Sequence, residues 1–163
     1  MFFYPKCYLD LIANFHENIN LELNFVKTSK YEKANQLRKT NDYPLALLGG
    51  NIEIHFLHYL SEKEALQKWN RRKQRINFNK MLFAFTDDEN CNYDDLLLFE
   101  NIELPKVVFT SKKFSGITSS VFLKHLNHQN SVGDIYTNKW HTRRYFNVSK
   151  WINNASNNSK NKK

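Results

Sequence analysis

The sequence predicts an α/β fold: a three-layer α/β/α arrangement around a mostly parallel or mixed sheet, in a single domain. Three observations predict it. Residues 51–109 alternate strand, helix, strand, helix, strand, the pattern of parallel strands joined by crossover helices. Residues 81–85 and 107–109 are continuously apolar, as strands covered on both faces are. The 163 residues, 41% hydrophobic and 15% aromatic, can bury a core without disulfides or metal.

The elements follow in chain order. Residues 5–18 read as a helix, because Cys7, Tyr8, Leu11, Ile12 and Phe15 recur at helical spacing and Pro5 suits a first turn. Residues 21–25 alternate like a strand. Residues 27–42 are polar and leave their structure open, and Asn41-Asp42-Tyr43-Pro44 has the composition of a turn. A short apolar run, residues 45–48, stops at Gly49-Gly50. In residues 51–56, Ile52, Ile54 and Phe56 alternate with Glu53 and His55, which predicts a strand with one apolar and one polar face. Ser61 and Glu64 form a capping box that opens a helix reaching about residue 77.

After the strand at 81–85 come a loop, residues 86–91, and a short helix over 93–99. Pro105 introduces the next strand at 106–109. Residues 121–126 suit either helix or strand. Residues 145–148 read as a last strand, and residues 149–153 as a helical turn carrying Trp151. The domain therefore occupies residues 1–153. Residues 154–163 form an Asn/Ser/Lys tail with nothing to bury, expected to be disordered.

Composition excludes several classes. No run approaches 18 apolar residues, and the N-terminus lacks a signal peptide's basic start. No membrane span is expected, and the location expected is cytoplasmic. Cys7 and Cys91 have neither CxxC spacing nor a local His, so no zinc site is expected. There is no GxGxxG, Walker A loop, GxSxG or HExxH, and only four glycines. A nucleotide hydrolase or Rossmann dehydrogenase of the usual kind is disfavoured.

The net charge is +8, of which Lys150, Lys160, Lys162 and Lys163, in or beside the tail, supply half. Arginine is the more selective signal. Five of the six fall in two clusters, Arg71-Arg72-Arg75 and Arg143-Arg144, and the guanidinium is a planar fork for phosphate or carboxylate. A phosphate-bearing sugar or other anionic small molecule is the expected partner, with nucleic acid the lesser candidate.

Two constellations could carry chemistry. Open α/β sheets bind ligands beyond the carboxyl ends of their strands. Three such ends supply His55, His58 and Tyr59, then Thr86, Asp87 and Asp88, then Thr110, Ser111 and Lys112. His58 is the candidate general base, and Asp87 the carboxylate that orients it. Asp87 or Asp88 could instead hold a divalent cation with water and a phosphate, though no metal site is assigned and no cofactor identified. His55, Tyr59, Asp88, Thr110 and Lys112 are expected to bind substrate. Cys91 lies near the same edge and would be a nucleophile only with a depressed pKa. The plain alternative is that such residues merely cap turns.

The second constellation is the helix from Ser61. Ala65, Trp69, Arg72 and Ile76 fall within about 60° of one another on its wheel. Arg72 is thus expected to turn its stem inward, either pairing with Glu53, Asp87 or a bound anion, or lying along Trp69 with its head at the helix end. Arg71 and Arg75 lie on another face, as a solvated basic surface or as further substrate contacts.

The stretches Tyr43-Pro44-Leu45-Ala46, Ile52-Glu53-Ile54-His55-Phe56-Leu57-His58-Tyr59, Glu64-Ala65 and Trp69-Asn70-Arg71-Arg72-Lys73-Gln74-Arg75-Ile76-Asn77 resemble a bacterial domain-of-unknown-function family, numbered nineteen-nineteen. Lys106-Val107-Val108-Phe109-Thr110 fits it too. The resemblance runs over residues 1–153. It implies a three-layer α/β/α fold and a place in exopolysaccharide, capsule or lipopolysaccharide biosynthesis, with acyl or other group transfer to a sugar as the associated activity. Members of the family begin upstream with a strand and an Asn-Asn-Cys-Trp-Gly-Gly-like segment, which this chain lacks. An inactive truncated member is therefore one alternative, and a non-catalytic protein binding a polyanion or nucleic acid is another.

Overall fold

A computed structural model describes residues 1–133 and 142–158, without the side chains of residues 156–158. The chain forms two compact units, Met1–Ile76 and Asn77–Lys163. The class is α/β, but the one sheet expected is two, each of three strands.

The first unit begins with α1 (Pro5–Ala13), opened by proline in its first turn, and α2 (Phe15–Asn18). Asn14 breaks the expected continuous helix between them, and the Asn18 side chain closes the break by donating to the Asp10 and Leu11 carbonyls. Then come β1 (Leu23–Val26), α3 (Glu32–Arg38), β2 (Leu45–Leu48), β3 (Ile52–His55) and α4 (Glu62–Lys73). The strands pair antiparallel in the order β1-β2-β3. The β2–β3 turn needs its glycines. Gly49 and Gly50 have φ of +60° and +78°, and a Cβ on Gly49 would lie 2.5 Å from Leu21 Cδ1.

The apolar face of β3 behaves as its alternation predicts. Ile52, Ile54 and Phe56 join Cys7, Leu11, Ala46, Leu48, Ala65 and Trp69 in one core. Ser61 caps α4, its hydroxyl accepting from the Glu64 amide at 3.2 Å, but the Glu64 carboxylate accepts from the Leu60 amide at 3.4 Å and so leaves the expected capping box half made; Ala65 and Trp69 hold the helix on that core. The other face of β3 departs from expectation, because Glu53 and His55 are as buried as the isoleucines.

In the second unit, β4 (Phe83–Thr86), α5 (Tyr93–Glu100), β5 (Lys106–Thr110) and β6 (Ser120–Phe122) form a parallel sheet in the order β4-β5-β6. Asn92 and Asp95 cap α5 reciprocally. Leu96 and Phe99 are its buried face, and the Phe99 ring lies 5.3 Å from that of Phe85. Residues 124–126 form a single 3-10 turn. A last helix, α6 (Val148–Asn158), ends the described chain.

Two expectations are corrected here. Residues 145–148 are not a strand. The Tyr145 and Phe146 amides bond back to the Thr142 carbonyl, closing a turn, and the Phe146 ring packs between Phe109 and Trp151. The helix carrying Trp151 continues to Asn158 rather than giving way to a tail at residue 154; residues 159–163 lie outside the described residues. Among the described residues no helix is long and apolar enough to cross a membrane.

Candidate functional site

The three strand ends do not belong to one sheet as expected. β3 belongs to the antiparallel sheet, whereas β4 and β5 belong to the parallel one. Asp87 and Thr110 do share the carboxyl edge of neighbouring parallel strands, but His58 is no part of that edge. The reason is local. β2 and β3 are joined by a tight turn, and a short turn returns the chain antiparallel.

At the parallel edge, Asp87 is buried and both oxygens of its carboxylate are engaged. Oδ2 accepts from the Ser111 amide at 2.8 Å and the Ser111 hydroxyl at 2.9 Å, and Oδ1 from the Val132 amide at 2.6 Å. These bonds tie the loops after β4 and β5 to residue 132. With those acceptors taken, Asp87 clamps loops of its own unit. Among the described residues no group of acidic, His and Cys side chains could hold a metal ion.

Its neighbours differ. Asp88 is half-buried; burial raises its carboxyl pKa, opposed by the Asn90 amide that its Oδ1 accepts at 2.6 Å. Burial first, then Asp95, Asp88 and Asp87, push the Cys91 thiol up to about 12. That is the opposite of what a nucleophile needs. Thr110 is wholly buried and its Oγ1 has no hydrogen-bond partner. Lys112 is exposed.

The first unit holds a second polar cluster. Glu53 accepts from the Ser29 hydroxyl and from the Lys30 amide at 3.0 Å. The Asn35 side chain holds residue 29 by both its amide and its carbonyl. His55 Nε2 lies 2.8 Å from Glu53 Oε1. The distance suits a hydrogen bond, but the carboxylate stands off the line of a ring N–H, so the contact is electrostatic. On the far side, His55 Nδ1 meets the Tyr43 hydroxyl at 3.1 Å. The rings of Phe2, Tyr4 and Tyr43 surround the imidazole. Phe2 also pairs with His55 through two backbone hydrogen bonds at the outer edge of β3. Burial lowers the His55 pKa, and Glu53 only partly offsets it. The ring is sealed from solvent, hydrogen-bonded at Nδ1 and in electrostatic contact at Nε2.

The remaining expected residues scatter. His58 is exposed, and Tyr59 is buried in the core. Arg71 and Arg75 are exposed, as predicted for a solvated face. Arg72 is exposed as well, which corrects its inward placement: its guanidinium lies 5.8 Å from the centre of the Tyr59 ring. It stands at the margin of the buried stripe, where a long side chain lays its stem on an aromatic ring and keeps its charge in water. Glu53 does not pair with it; its carboxylate serves Ser29, Lys30 and His55.

Sequence reasoning passed over Arg38, the arginine outside both clusters. Its guanidinium lies 5.5 Å from the Tyr43 ring centre, and its buried Nε has no partner. The available signal was spacing, since Arg38 stands one turn after the buried Ala34 on α3.

A family model described as "Domain of unknown function (DUF1919)" matches residues 1–153. An "Uncharacterized protein" of Haemophilus influenzae is 32% identical over 156 residues, covering 93% of this chain and 70% of that protein.

Proposed function

This chain belongs to the family described as Domain of unknown function (DUF1919), and from that footing we propose that it is a group transferase acting on a sugar in surface-polysaccharide biosynthesis. The sugar binds beyond the carboxyl ends of β4 and β5. One observation carries this reading: the Thr110 hydroxyl, buried without a partner at the end of a parallel strand. Such a group costs about 1–3 kcal/mol unless something meets it, and sugars offer hydroxyls that both donate and accept. The position is where open parallel sheets take ligands. The hydroxyl is covered in the free protein, so a ligand that reaches it displaces its cover on entry.

Asp88 supplies the base. The sugar hydroxyl attacks the carbonyl or phosphoryl centre of the donor, its proton passes to the Asp88 carboxylate, and the donor's leaving group departs with the bonding electron pair. A carboxyl whose pKa burial raises is a better proton acceptor than an ordinary one. Lys112, exposed just past Ser111, offers charge to a donor or sugar phosphate.

Titration calorimetry with free sugars, amino sugars and sugar phosphates tests the site. The expected result is binding by the wild type and about tenfold weaker binding by Thr110→Val, the loss of roughly one hydrogen bond. The free variant should be at least as stable as the wild type, because an unmet hydroxyl has been removed. Equal binding by the variant, or no sugar bound by the wild type, would sink the reading.

A further inference from the structure

The exposed flank of α4 carries more positive charge than the first unit's described ion pairs balance. Lys68, Arg71, Arg72 and Arg75 follow one another at i, i+3, i+4 and i+7, which gathers them within about 100° of the helix circumference along about 10 Å of axis. Arg75 stands just past the last helical residue, and its amide bonds to the Arg72 carbonyl at 3.0 Å, continuing the turn. The three arginines are exposed and Lys68 is half-buried. No acidic residue occurs between Glu64 and Asp87. The four cations enter none of the ion pairs Lys6–Asp10, Lys27–Glu62, Arg38–Asp42 and His55–Glu53.

Like charges one turn apart repel. The carbonyls at the helix C-terminus offset part of that, and the rest has no return inside this unit. An anion outside the chain supplies one, and three features narrow its kind. A helix flank is convex and cannot enclose a small molecule. The one aromatic residue of α4, Trp69, is buried, so no ring is offered for stacking on unpaired bases. Leu66 is the one exposed large apolar side chain on α4. It falls on the opposite side of the wheel, so nothing apolar stands among the cations to enter a bilayer. The backbone of a duplex needs none of these things: it presents regularly spaced phosphates to guanidinium forks.

We propose that the Lys68–Arg71–Arg72–Arg75 flank of α4 docks on the phosphate backbone of double-stranded nucleic acid without reading its sequence.

Fluorescence anisotropy of the full chain with a mixed-sequence DNA duplex tests it. Four phosphate contacts predict affinity falling about 150-fold as salt rises from about 50 to about 200 mM. Arg71→Ala with Arg75→Ala, which leave two contacts, should reduce that fall to about 12-fold and weaken binding at low salt. Lys33→Ala with Lys39→Ala, on α3 and at its C-cap, lowers the net charge equally and should leave the salt dependence as in the wild type. Circular dichroism would confirm that each variant is folded. Three results each overturn the proposal: no duplex binding at low salt, binding and salt dependence untouched by the arginine pair, or equal weakening by the lysine pair. Binding to vesicles of anionic lipid without binding to the duplex overturns it too.

Discussion

His55 Nε2 stands 2.8 Å from Glu53 Oε1, and neither side chain reaches solvent. A carboxylate at that distance would normally hold an imidazole protonated, yet burial is the larger influence and lowers the His55 pKa below its ordinary 6.5. The folded protein therefore takes up this proton less readily than the unfolded chain. The resulting stability is fully present above about pH 6.5 and is lost as pH falls toward the folded pKa. Urea unfolding between about pH 7.5 and about pH 5 should show stability declining with acid. His55→Gln, which can still bond to Tyr43 and Glu53, should flatten that decline, while His58→Gln at an exposed position should not. A wild type whose stability is level across this window would contradict the assignment.

Asp87 gathers the Ser111 amide and hydroxyl and the Val132 amide on one carboxylate. Hydrogen bonds to a charged group contribute about 1.5–3 kcal/mol each, and stranding their donors in the interior adds a desolvation cost. Asp87→Ala is expected to cost about 3 kcal/mol or more in equilibrium unfolding. Asp88→Ala, with one local amide on its Oδ1, should cost under about 1 kcal/mol. Similar values for the two would remove the distinction drawn between clamp and base.

Glu100 ends α5 and accepts from both the amides and the hydroxyls of Thr118 and Ser119. Burial pushes its carboxyl up, but the Ser119 and Thr118 side chains and then their amides outweigh it, and its pKa falls from 4.5 to about 2. Its contribution to stability is present above about pH 4.5 and is lost as pH falls through about 2. Glu100→Gln should thus be less stable than the wild type at neutral pH, with the gap closing toward pH 2. A gap of constant size down to that pH would show that the charge contributes nothing.

Much of the fold was legible from local pattern. Pro5 at a first turn, the Ser61 cap and the alternation of Ile52, Ile54 and Phe56 each involve neighbours within a few residues, and each appears where the sequence places it. The segments that misled have no strong period. Residues 32–38 hold α3 with only Ala34 buried, and a helix anchored at one point leaves almost no apolar stripe to read. Residues 145–148 alternate like a strand, but a strand exists only where another strand accepts its backbone, and Phe146 found Phe109 and Trp151 instead.

The candidate site shows the same division more sharply. The sequence by itself determined that β4 and β5 would be parallel neighbours and that Asp87 and Thr110 would close one edge. Tertiary structure decided what each of them does. Asp87 became a clamp because Ser111 and Val132 arrived with three donors, and Thr110 became an orphan because no donor or acceptor arrived. Glu53 and His55, read as a polar outer face, became the interior because Ser29, Tyr43 and Tyr4 closed over them. Arg72, read as interior, stayed outside because Tyr59 supports it at the rim. A polar side chain's burial is set by which partners meet it across the fold, and period and spacing along the chain carry no record of those partners.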